Sequence, residues 1–283
     1  MNTRANAVRA GFSRGWIEFK QTFTNGQDIS NYLIFPIISL IVMILMRNSD
    51  APGTTYSLAL LTLPSVLGMN VVFSGLMGAA ATLIVGREDG TLLRAKALPH
   101  GIIGYLVGVV VYLAGTTVVT VAVVFVPGLL IFDGLEINSA AAWFGLVAII
   151  ALGFAATLPL GAIIGSLGNN PANMGLLFLP VMAMVGVSGI FYPITSLPGW
   201  LQVIGQLLPM YWVGLGMRSV LLPDAMASVE IGESWRTLEM VGMLGLWAVV
   251  GFVLAPAVMR RMARRESGSN LAERRQRIMQ RVQ

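Results

Sequence analysis

Between Glu136 and Arg218 the chain carries no formally charged side chain, and a water-soluble domain, in which about a quarter of residues are charged, is not built that way. The whole chain agrees, with 56% hydrophobic residues, 11% charged residues and a mean hydropathy of +0.78. An apolar run of this length exceeds the roughly 20 residues that one helix needs to cross hydrocarbon. The Gly168-Asn169-Asn170-Pro171 sequence supplies a turn that divides it, predicting spans at 140–166 and 174–191. The fold class is therefore an all-α integral membrane protein.

A second constraint is the insert 86–100, which sets five charges, Arg87, Glu88, Asp89, Arg94 and Lys96, between two further spanning runs, 57–85 and 101–132. Such an insert belongs at a membrane face. Asp89 is placed to cap an amide one turn on, Gly90 permits a tight turn, Thr91 to Leu98 are helix-compatible and Pro99 stops them. The short helix would have an apolar side of Leu92, Leu93 and Leu98 and a charged side of Arg94 and Lys96, suited to touching another protein. A first span is expected over 32–46 and a last over 238–259. Gly75, Gly78 and Ala79 to Ala81, Gly104 with Gly108, and Gly161 with Gly165 are small residues that let helix backbones approach.

Ahead of the first span, Val8, Phe12, Trp16, Phe19 and Phe23 share a narrow helical arc with Arg14, Glu18 and Gln21 opposite. Residues 1–28 thus read as an amphipathic interface helix on membrane lipid rather than a cleavable signal segment. Residues 29–259 form the spanning domain and 260–283 a basic tail. One apolar segment, 200–222, contains Gln202, Gln206, Pro209 and Arg218. If it crossed, the basic N-terminal segment and the Arg-rich tail would lie on opposite sides, against the positive-inside rule. The expectation is six crossings with both termini cytoplasmic, and a Pro-broken pair of half-helices dipping in from outside before the last span.

Several chemistries lack their residues. No cysteine is present and His100 is the only histidine, which excludes thiol chemistry and a histidine cluster within one chain. The net charge of +5 flanks the spans and orients the chain; it does not indicate nucleic acid. Lys20 and Lys96 are the only lysines and neither sits in a phosphate-binding loop. Spans one to five hold no ionisable group for an ion-coupled transporter, leaving Glu239 at the rim of the sixth. A channel lacks charged or hydroxyl rings for a filter. A membrane enzyme would have to draw on Asp133, Glu136, Glu230 and Glu233, unaccompanied by His or Lys. An external energy source is implied.

The loop Glu88-Asp89-Gly90-Thr91-Leu92, followed by Phe178-Leu179-Pro180, Ser188-Gly189-Ile190-Phe191-Tyr192-Pro193, Leu197-Pro198-Gly199-Trp200-Leu201 and Leu208-Pro209, resembles the permease subunits of type-2 ABC exporters. The closest likeness is to the daunorubicin-resistance-like group of bacterial drug and lipid exporters. It covers nearly the whole chain; the large basic tail departs from the pattern. The resemblance implies a bacterial plasma-membrane permease with a second permease copy or homologue and a cytoplasmic ABC ATPase that holds ATP and Mg, with no cofactor in this chain. It implies that Glu88, Asp89, Gly90, Thr91, Leu92 and Arg94 form a coupling helix. Tyr192, Pro193, Trp200, Pro209, Tyr211 and Trp212 would belong to an outer gate. Apolar and weakly polar spans favour a hydrophobic or amphiphilic cargo such as a drug, antibiotic or lipid; export of a polysaccharide or lipid-linked glycan is the alternative. The purified chain is expected neither to bind nor to hydrolyse ATP until a partner ATPase is added, and hydrolysis by the chain alone would refute this reading.

Overall fold

The computed structural model describes residues 3–49, 57–132, 134, 135, 137–167 and 174–265. Asp50, Asp133, Glu136, the Gly168-Asn169-Asn170-Pro171 turn and the tail arginines beyond Arg265 lie outside them. The described chain is all-helical, in the order α1 (Thr3–Thr22), α2 (Gly26–Leu45), α3 (Leu58–Glu88), α4 (Thr91–Lys96), α5 (Gly101–Ile131), α6 (Ala140–Leu167), α7 (Met174–Val187), α8 (Gly199–Leu207), α9 (Pro209–Leu221) and α10 (Thr237–Arg265). Five of them, α2, α3, α5, α6 and α10, are long and apolar enough to cross a bilayer. The protein is an all-α integral membrane protein.

Helix ends follow from local chemistry. Asn25 starts α2 by accepting a hydrogen bond from the Gln27 amide at 3.1 Å, and Ser57 starts α3 by accepting one from the Leu60 amide at 3.2 Å. The expected fifth span, 174–191, forms a helix only to Val187. Gly189 adopts φ +60° there, the left-handed conformation that commonly ends a helix, and Pro193 follows. At 1.5 Å per residue, the described part of α7 rises about 21 Å.

Packing is organised around α9, whose residues Pro209 to Arg218 are all buried. It lies against the first half of α3, against α6 and against α10, with Gly68 and Gly214 at the close approach to α3. The second half of α3 turns to α6 instead. Between the halves, Ser74–Gly78 winds as a π-helix. Small residues then bring the backbones together: a Cβ on Gly161 would overlap the Gly75 and Leu76 carbonyls, and one on Gly165 would crowd Ala80. This is the contact that the glycine spacing predicts.

The other glycine pair meets a partner that the aromatic arc of α1 does not reveal. Gly104 and Gly108 of α5 face Gly11 and Gly15, so α1 runs lengthwise along α5 and leaves Val8, Phe12 and Trp16 exposed on its apolar side. Several threonine hydroxyls inside the bundle are satisfied by their own helix. Thr62, Thr82 and Thr157 each donate to the carbonyl four residues back, while Ser74 and Thr117 join α3 to α5.

Replacing Gly161 with Leu should force α3 and α6 apart and destabilise the fold by about 1–3 kcal/mol or more. Gly242 is the control, because a Cβ added there would meet nothing within 4 Å. A lower thermal midpoint by tryptophan fluorescence is expected for Gly161→Leu and not for Gly242→Leu; equal midpoints would mean that the α3–α6 contact is loose.

Candidate functional site

Two regions draw together the residues singled out in the sequence. At one end of the bundle, α3 passes into α4 through two residues. Asp89 closes α3, its amide bonding to the Val85 carbonyl at 2.9 Å, and its carboxylate accepts the Thr91 amide at 2.8 Å. Gly90 takes φ +77°, a conformation that strains any residue with a Cβ. The chain therefore passes from α3 to α4 within two residues, with no slack between the helices.

The faces of α4 are not those expected. Leu92 and Ala95, three residues apart, are buried at 2% and 9% exposure in a cluster with Leu83, Tyr105, Leu158 and Met259. Leu98 points away, 65% exposed. Leu92, Leu93 and Leu98 thus do not form one sticky side: a helix places i and i+3 together, and Leu92 pairs with Ala95 to fasten α4 to its own chain. The outward surface consists of Asp89, Arg94, Lys96 and Leu98, with Glu88, Thr91 and Leu93 half-buried. Arg94 donates to the Thr91 hydroxyl at 3.0 Å. Arg87, buried behind them, donates to the Ser166 carbonyl at 3.3 Å and ties α3 to the end of α6.

The opposite end carries the predicted broken segment, as two short helices, α8 and α9, interrupted at Leu208-Pro209. The interruption frees carbonyls that hydrocarbon would leave unpaired. Indole groups take them up: Trp212 Nε1 donates to the Gln206 carbonyl at 2.7 Å, and Trp247 Nε1 of α10 donates to the Leu207 carbonyl at 2.9 Å. Arg236 bonds the Gln206 side-chain carbonyl at 2.7 Å, stacks over Trp212 at 5.0 Å and pairs with Glu239. Glu239, in the first turn of α10, is thus paired with a cation.

The six expected gate residues separate into two groups. Pro193 and Trp200 are exposed and Tyr192 is half-buried, its hydroxyl donating to the Gly186 carbonyl. Pro209, Tyr211 and Trp212 are buried within the bundle. Tyr211, at 0% exposure and 4.9 Å from the Trp212 ring, is a packing residue in this arrangement, so its loss would act on the fold before it acted on a surface.

A buried ion pair is not foreseen from the sequence. Arg218, in the last turn of α9, donates through Nε to Glu230 Oε1 at 2.7 Å and through Nη1 to the Gly189 and Ile190 carbonyls at 3.4 and 3.3 Å. Their side chains are 10% and 2% exposed. One guanidinium thereby holds the end of α9, the turn after α7 and the loop before α10. The available signal is Arg218 itself, a charge within an apolar segment, yet position alone assigns it to an outer loop.

A search of curated proteins gives no match to the chain. A family model described as ABC-2 type transporter matches residues 9–222, which takes in α4, the α8–α9 pair and every long apolar helix but α10. By that match, which covers most of its length, the chain belongs to the ABC-2 type transporter family.

Proposed function

We propose that this chain is the permease of an ATP-driven exporter, working as two permeases with two ATPase subunits in a bacterial plasma membrane and moving a hydrophobic or amphiphilic cargo outward. The observation that carries this reading is the junction Asp89-Gly90, which makes α4 a stiff continuation of α3. Leu92 and Ala95 fasten it from behind, and Asp89, Arg94 and Leu98 face outward. A partner that gripped this surface would move α3 with it, as a rigid body.

The rest of the bundle suits that role. Among the described residues α7 packs on α8 and buries Val181 in the core, while Phe178, edge-on to Phe73, and Leu179 are exposed. A second permease copy would cover them, placing α3 and α7 beside the path. The α8–α9 end then closes the path on the outer side, with ATP and Mg bound by the ATPase at the α4 end. Both termini are cytoplasmic in this scheme.

Because the chain has no cysteine, single cysteines report cleanly. Lys96→Cys should react only from the cytoplasm and Ser228→Cys only from outside, and labelling of both from one side would overturn the topology. The double variant Arg94→Glu, Leu98→Asp should insert and melt like the parent yet bind the ATPase weakly and lose most ATP-driven export. Leu92→Asp should instead lower yield, since it buries an unpaired charge at a cost of several kcal/mol. Full export by the Arg94/Leu98 variant would leave α4 as an ordinary loop helix.

A further inference from the structure

Beside the Arg218-Glu230 pair lies a cavity of about 260 Å³ between the start of α3, the turn after α7 and the loop before α10. Most of its wall is apolar, from Leu61, Ile190, Leu222, Val229 and Trp235, and the ion pair forms its polar end. Arg218 Nη2 and Glu230 Oε2 are buried without a hydrogen-bond partner. Buried polar atoms are nearly always paired, and here one unpaired donor and one unpaired acceptor belong to adjacent side chains that line the same cavity.

We infer that this cavity is a binding site for the head of an amphiphile with an uncharged, polyhydroxyl head group, such as an alkyl glycoside. Charge decides the class. Arg218 is neutralised by Glu230 at 2.7 Å, so a phosphate would meet the Glu230 carboxylate and an ammonium would meet the guanidinium. A hydroxyl both donates and accepts, and two neighbouring hydroxyls match the unpaired pair without disturbing it. The volume suits one sugar ring, below the size of a drug-sized pocket, and the apolar wall suits the first carbons of a tail. As a cargo site the cavity rests on the export reading, since it lies at the end of the bundle assigned there to the outer side.

The test uses the full chain in lipid nanodiscs, without its ATPase, and three photoreactive octyl probes that differ only in head group: glucoside, phosphate and trimethylammonium. The glucoside should crosslink to the segments bearing Leu61 or Val229 well above the two charged probes. The double variant Arg218→Met, Glu230→Leu, which leaves no lone buried charge, should lower that labelling about tenfold, the worth of a hydrogen bond to a charged group. Leu61→Trp, which keeps the ion pair and fills the cavity, should abolish it. Equal labelling by all three probes, or labelling that survives Leu61→Trp, would overturn the site. Adding the partner ATPase with ATP should then reduce glucoside labelling; a site that labels but ignores ATP would refute export and leave the binding site standing.

Discussion

A backbone amide or carbonyl that loses its helical partner inside hydrocarbon has no water to turn to, and the bundle is arranged around a place where a whole helix breaks. At Leu208-Pro209 the helix breaks, and the carbonyls of Gln206 and Leu207 are met by the indoles of Trp212 and Trp247. The second indole comes from α10, so the break is repaired only when the last span is in place. That requirement explains why α9 sits at the centre, enclosed by α3, α6 and α10, although a short broken segment by itself would suit the periphery. It also explains a tryptophan in the middle of α10 whose polar atom would otherwise face lipid.

Against this central hairpin, the two ends of the molecule differ in kind. At the α4 end, apolar contacts and one tight turn produce stiffness: Gly90 leaves no slack and Leu92 anchors the short helix. At the α9 end, polar groups converge on single side chains, with Arg218 reaching three segments and Arg236 reaching a glutamine, a carboxylate and an aromatic face. Removing one member of such a buried pair strands the other, which typically costs about 3–5 kcal/mol. On the export proposal, the rigid end would take in the motion and the polar, multiply tied end would be the seal it breaks.

Much of this was legible in the residues. Runs of apolar sequence between charged turns located the five long helices, and Pro209 with its flanking glutamines located the hairpin, because hydrocarbon allows few alternatives. The glycine spacing of Gly161 and Gly165 named a close contact without naming its partner. What could not be read depends on which faces meet. Leu92 and Leu98 are both leucines in one short stretch, and only the position of Met259 and Tyr105 decides that the first is inside. Gly11 and Gly15 were hidden by the stronger aromatic signal on the same helix. Arg218 and Glu230 are separated by a loop without regular periodicity, and nothing in their spacing brings a guanidinium to a carboxylate.

The π-helical segment Ser74–Gly78 has a consequence for how α3 serves two masters. One extra residue in a helix advances every later side chain by about 100° around the axis. The stripe of α3 that faces α9 in its first half is therefore out of phase with the stripe that faces α6 in its second, and the two halves could not both keep their neighbours if the helix were regular throughout. α3 is a crankshaft in this respect: its two throws are offset by one inserted residue, and deleting any single residue from 74–78 would bring them into line and mismatch one of the two interfaces.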